Sequence, residues 1–122
     1  MSYKDLDIYN LAFEYAYEIH LMSLKLPKYE LYEQGSQIRR SSKSVKDNIL
    51  EGYGRRRYKA EFIRFLIYAH ASCDEAITQL EMISKLHFPK NPLTELLQKY
   101  DQLGRKINSF IKYVETDWES PK

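Results

Sequence analysis

The stretch KAEFIRFLIYAHASCDEAITQLEMISKLH, residues 59–87, decides the fold. Phe62, Phe65, Leu66, Ala69, Cys73, Ala76, Ile77, Leu80 and Ile83 recur in it at spacings of three and four, which aligns them on one face of an α-helix. Neither Gly nor Pro interrupts the run, and Pro89 closes it. So broad an apolar stripe cannot stay in water, so other helices must pack against it.

Downstream, Asn91-Pro92 offers an N-cap followed by proline at the first helical position. Residues from about 92 to 116 then carry Leu93, Leu96, Leu97, Tyr100, Leu103, Ile107, Phe110, Ile111 and Val114 on a nearly heptad seam. Upstream, residues from about 30 to 53 place Leu31, Gly35, Ile38, Ser42, Val45, Ile49 and Gly52 on a narrow face. There the small Gly35, Ser41 and Ser42 permit close approach of a neighbouring helix. Gly52 and Gly54 bracket the end of that helix. The first helix runs from about 7 to 26 on Ile8, Leu11, Ala12, Tyr15, Ile19, Met22 and Leu26, with Asp7 as its N-cap and Pro27 as its stop. Four such helices with short connections predict an all-α, antiparallel up-and-down four-helix bundle, one domain over residues 1–122.

Composition agrees: 43% hydrophobic and 30% charged residues with four Gly and four Pro describe a helical globular chain, not a disordered one. The single Cys73 excludes an intramolecular disulfide. No charged n-region followed by an apolar stretch opens the chain, and no apolar run is long enough to span a membrane. A soluble protein of the reducing cytoplasm is expected.

Catalytic chemistry finds no foothold. A di-metal bundle needs Glu three residues before His on two helices, and none of His20, His70 and His87 has one. His70, Cys73 and Asp74 fall within about one turn, but Cys73 belongs to the apolar stripe and reads as a small buried hydrophobe. Gly52-Tyr53-Gly54 follows a helix, not a strand, and so is no phosphate loop. No enzyme activity, cofactor, metal or small-molecule substrate is expected.

Two surface patterns remain. Tyr9, Phe13, Tyr17, His20 and Leu24 form a second stripe on the first helix, and Ile63 and Ile67 do the same on the third. That surface predicts a homo-oligomer interface. The other pattern is charge. Between Ser36 and His70 lie nine Lys/Arg and three acids in a chain whose net charge is only +2. Arg39, Lys43 and Lys46 share an outward face of the second helix and Arg40 lies on its other flank. Arg55, Arg56, Arg57 and Lys59 follow in the loop and Arg64 in the next helix. Such a patch suits the phosphates of RNA, with Tyr53 and Tyr58 placed to stack on unpaired bases. It equally suits a solvated helix face crossed by salt bridges, or a dock for an acidic protein.

Gln37-Ile38-Arg39-Arg40-Ser41, Ser44 to Gly52, Gly54-Arg55, Glu61 to Leu66 and Thr78-Gln79-Leu80-Glu81 resemble the four-helix bundle proteins encoded in intervening sequences of bacterial 23S ribosomal RNA genes. The resemblance spans nearly the whole chain, from an Asp5-Leu6 opening through the proline after the first helix. The accessory variability determinant of diversity-generating retroelements shares that fold. The resemblance implies a homopentameric barrel with a positive surface and, for the retroelement branch, binding of RNA and a reverse transcriptase. The chain departs from the pattern at Lys46, where proline is common, at Leu50, where alanine is usual, and at Ala71, where glycine often stands. Asn48 and Glu51 are the motif's polar residues, suited to satisfying the helix end or, alternatively, to touching RNA. The expected function is a non-enzymatic homo-oligomeric RNA-binding or scaffolding module. The alternative is an accessory subunit docking an acidic partner such as a reverse transcriptase.

Overall fold

Four helices carry the chain: α1 (Asp7–Ser23), α2 (Gln34–Gly54), α3 (Lys59–His87) and α4 (Thr94–Thr116). The structure, a computed structural model, describes residues 1–119. Each helix packs on its chain neighbours and α1 closes onto α4, so the order around the bundle is α1, α2, α3, α4. The all-α bundle is as the hydrophobic periodicity requires, and no strand occurs among the described residues.

The stripe on α3 is the hub. Phe62, Leu66, Ala69, Cys73, Ala76, Leu80 and Ile83 are buried, facing Ile38, Val45 and Ile49 of α2 and Leu103, Ile107 and Val114 of α4. Phe62 sits edge-on to Tyr53, Phe110 and Trp118 at centroid distances of 6.2, 5.9 and 5.2 Å, an arrangement that the ring quadrupoles favour. Removing any one such side chain leaves a cavity in a close-packed interior, and truncating Leu80 to Ala costs about 2–5 kcal/mol.

Close approach of α2 and α3 depends on Gly52. A Cβ there would lie 3.0 Å from Phe65 Cβ and 3.2 Å from the Phe62 carbonyl oxygen, neither of which can rotate away. Farther along the same seam, Ser41 Oγ donates to Gln79 Oε1 at 2.6 Å and the Ser44 and Ser72 hydroxyls meet at 2.8 Å.

Some helix ends depart from the sequence reading, whereas α3 starts and stops as expected, α1 begins at Asp7 and α4 ends at Thr116. Leu6, not Asp7, occupies the N-cap of α1, and the preceding turn at Tyr3–Asp5 has its own capping box between Ser2 and Asp5. Leu24 to Leu26 leave the α pattern for three-residue hydrogen bonds, so α1 is shorter than residues 7–26. After Pro27, Lys28–Glu30 form a 3-10 turn, which delays α2 to Gln34. Its purpose is visible in Glu30, a buried carboxylate that accepts from Gln34 Nε2 at 2.6 Å and lies 2.7 Å from His87 Nε2. Pro92 does not open α4 either. The Leu93 amide donates to Ser84 Oγ of α3 at 3.1 Å, so the cap comes from across the bundle and the helix begins at Thr94.

Candidate functional site

The basic segment wraps the α2–α3 turn, where the loop leaves α2 without a left-handed residue among those described. Arg55 is held by Glu51 at 3.0 Å and Glu61 at 3.4 Å, and its guanidinium lies 4.8 Å from the Phe65 ring centroid. Arg64 shares Glu61 at 2.9 Å and stacks on Phe65 and Tyr68. Two guanidiniums therefore flank one aromatic ring and share one carboxylate. These pairs are exposed, so each contributes little to stability and can exchange its carboxylate for another anion. Arg57 lies 5.9 Å from the Tyr58 ring and has no ion pair among the described residues, while Lys59 Nζ reaches the Glu115 carbonyl at 3.5 Å.

Three residues expected on the polyanion-facing surface have other roles. Arg39 does not project outward: its guanidinium donates to Ser23 Oγ at 2.8 Å and to the Leu31 carbonyl at 2.6 Å, tying α2 to the end of α1 and the connection after it. The side chain lies on the flank of α2 that borders α1, and its length lets the charged head reach carbonyls that the turn leaves open. Arg56 donates to the Tyr53 carbonyl at 3.0 Å and stacks on that ring at 4.1 Å, so it acts as a cap for the end of α2. Tyr53 itself is a core residue, 5% exposed, and its hydroxyl donates to the Met1 carbonyl at 3.1 Å. No base can stack there. Tyr58, 64% exposed, keeps its ring free.

Along α2, Arg40 is exposed and meets only Ser36 Oγ, at 3.5 Å. Lys43 and Lys46 lean towards α1: Lys46 pairs with Asp47 at 2.7 Å and lies 5.9 Å from the Phe13 ring centroid. Asn48 serves neither the helix end nor the outer surface. Its amide donates to the Ser44 carbonyl and hydroxyl at 2.9 and 3.0 Å, extending the polar seam between α2 and α3. Glu51 is the partner of Arg55. Sequence reasoning took Ser41 for a small residue only and gave Ser44 no partner, because nothing in α2 reveals that Ser72 and Gln79 of α3 lie opposite. With Gln37, Arg40 and Glu75, this seam opens into a groove of about 560 Å³.

Of the residues expected at an oligomer interface, Phe13, Tyr17, Leu24 and Ile67 are exposed, and Tyr9, His20 and Ile63 are half-buried. Tyr9 packs edge-on to Tyr3 at 4.9 Å, which ties the first residues onto α1.

Cys73 points inward and donates its thiol to the Tyr100 carbonyl at 3.2 Å. Burial, reinforced by the charges of Asp74 and Asp101, pushes the thiol from 9.0 up to about 12. It is protonated at neutral pH and poorly disposed to act as a nucleophile or metal ligand. Burial likewise raises the Tyr100 phenol, whereas the hydrogen bond to Glu18 raises Lys99, which joins α4 to α1. Among the described residues no three His, Cys, Asp or Glu side chains are grouped to hold a metal ion, and no helix is long and apolar enough to cross a membrane.

Compared with known proteins, residues 4–109 match the family model described as 23S rRNA-intervening sequence protein. No curated protein matches the chain.

Proposed function

We propose that this chain, which belongs to the 23S rRNA-intervening sequence protein family, is a non-enzymatic module that binds or scaffolds RNA as a homo-oligomer, with five copies as the expected closed form. The observation that carries the reading is the α2–α3 turn. Arg55, Arg57 and Arg64 are gathered there on aromatic rings, Arg55 and Arg64 restrained only by the surface carboxylates of Glu51 and Glu61 and Arg57 by none among the described residues. Guanidiniums so placed bond phosphate oxygens in pairs, and Tyr58 adds a face on which a base stacks. Arg40 extends the patch along α2. A ring of identical chains repeats these weak contacts and gains avidity from them.

The test is reversal of Arg40, Arg55 and Arg57 to Glu, leaving the capping Arg56 in place. Binding of a single-stranded RNA oligomer at low salt falls at least tenfold, with helical circular dichroism and assembly mass unchanged. In the parent, log affinity declines against log salt with a slope of about −0.7 per phosphate neutralised. Undiminished binding by the variant removes the RNA reading. An acidic protein dock is then the better account, favoured by Leu50 and Tyr68, which expose apolar surface beside the same charges.

A further inference from the structure

The groove on the α2–α3 seam is lined differently from the basic turn. Its α2 wall carries Gln37, Arg40, Ser41 and Ser44, which helical spacing puts on one face, and its α3 wall carries Glu75 and Gln79, one turn apart. No ring and no aliphatic side chain lines it. Unpaired bases are held by aromatic faces, so a base has nothing there to stack on. The serines are already occupied. Ser41 Oγ and Gln79 Oε1 lie 2.6 Å apart, a separation that suits an O–H donor better than an N–H donor, so the hydroxyl donates. The Gln79 Nε2 is thereby left without a partner among the described residues. The Ser44 and Ser72 hydroxyls satisfy each other at 2.8 Å.

What the groove offers a ligand is therefore the Gln79 amide, the Arg40 guanidinium and the Glu75 carboxylate. Arg40 and Glu75 are exposed, and neither has an ion pair among the described residues, although they line the same groove. Positions 41, 44, 48, 51 and 55 follow one face of α2, so the seam leads from the groove to Arg55. Arg40 and Arg55 are separated along the helix by about 22 Å, at 1.5 Å per residue. A strand that binds Arg55 and Arg64 and continues along the seam enters the groove.

Glu75 is the informative member. A carboxylate beside a polyanion repels it, and a groove lined for phosphate alone has no use for one. The repulsion is offset only where the ligand gives the carboxylate a hydrogen bond. Along a sugar–phosphate backbone the one donor is the ribose 2′-hydroxyl, which DNA lacks. Its oxygen also accepts, which matches the free Gln79 Nε2.

We propose that this groove holds a ribose of an RNA strand and discriminates against DNA: Arg40 takes a phosphate, Glu75 accepts from the 2′-hydroxyl and Gln79 Nε2 donates to the same oxygen. The proposal rests on the RNA-binding reading and adds a choice between sugars. Glu75 opposes every polyanion but RNA least, so specificity comes from a repulsion that only the correct strand relieves.

The test compares three single strands of one sequence at low salt. They are RNA, DNA with uracil in place of thymine, and 2′-O-methyl RNA, which keeps the sugar oxygen and loses its proton. The parent chain binds RNA at least about tenfold more tightly than either of the others, the worth of one hydrogen bond to a charged group. In Glu75→Ala the DNA affinity rises and the preference disappears. Glu75 is exposed, so circular dichroism is unchanged, and Glu75→Lys provides a second variant that tightens all three strands alike. A parent that binds RNA but binds DNA or 2′-O-methyl RNA equally well, or variants that keep the full preference, overturn the ribose site and leave RNA binding standing. A parent that binds no RNA even at low salt instead overturns the RNA reading on which the proposal rests.

Discussion

Arg39 and Arg40 are adjacent, carry the same charge and face different fates, which makes them a controlled pair. Arg39 donates two charge-assisted hydrogen bonds, at 2.8 Å to Ser23 Oγ and 2.6 Å to the Leu31 carbonyl, in half-buried surroundings. Bonds of that kind contribute about 1.5–3 kcal/mol each. Water can partly replace them at the surface-facing edge of the site, so Arg39→Ala loses about 2–3 kcal/mol. Arg40 has only a 3.5 Å contact with Ser36 Oγ, and Arg40→Ala stays within about 0.5 kcal/mol of the parent. Urea unfolding followed by circular dichroism at one fixed protein concentration measures both. Fixed concentration is needed because assembly contributes to apparent stability. RNA affinity reverses the order: Arg40→Ala shallows the salt slope by about 0.7–0.9, and Arg39→Ala leaves it alone. Equal stabilities for the two variants would refute the structural role assigned to Arg39. A loss of RNA binding confined to Arg39→Ala would return it to the site.

Two further outcomes follow from the core. Gly52→Ala forces a methyl to within 3.0 Å of Phe65 Cβ, so an overpacking cost of about 1–3 kcal/mol outweighs a helix-propensity gain of about 1 kcal/mol. At Gly104 the nearest atom is Cys73 Sγ at 3.6 Å, an ordinary contact, and Gly104→Ala stabilises by up to about 1 kcal/mol. The same unfolding assay ranks them, and a Gly52→Ala variant as stable as Gly104→Ala contradicts the packing. Cys73 sets part of the alkaline limit. Its thiol holds a proton more tightly when folded, since burial raises it from 9.0 to about 12. Its contribution is therefore complete below about pH 9 and declines above that by up to about 1.4 kcal/mol per pH unit. Stability curves of parent and Cys73→Ala should converge as pH rises from about 8 to 10.5; parallel curves show that the thiol is not in the core.

The helical architecture was legible because α3 carries an uninterrupted apolar stripe, and a stripe of that breadth admits few partners besides other helices. The stripe also named Phe62, Cys73 and Leu80 as buried without reference to any other part of the chain. Pairings between helices were not legible. Ser84 caps α4, Ser72 meets Ser44 and Arg39 reaches Ser23, and each joins residues whose spacing in the chain carries no period. Long side chains were the other source of error. Helical phase places Arg39 near the surface and the loop reading does the same for Arg56, yet a guanidinium on four rotatable bonds bends back to whichever carbonyl the turn has left open. Tyr53 failed differently: the Gly52–Gly54 pair suggested a loop, but α2 continues through it and turns the ring inward.

The Glu30–His87 contact has a mechanical meaning. The bundle consists of two hairpins, α1 with α2 and α3 with α4, joined through the backbone only by the short turn at Arg55 to Tyr58. That turn is a hinge at one end. Glu30, in the connection of the first hairpin, and His87, at the corner of the second, meet at the other end, 2.7 Å apart and largely hidden from water. They act as a clasp opposite the hinge. Any parting of the hairpins has its widest swing at the clasp, so the residues wetted first are Leu26 and Ile83, and those wetted last are Phe62 and Tyr53 beside the hinge.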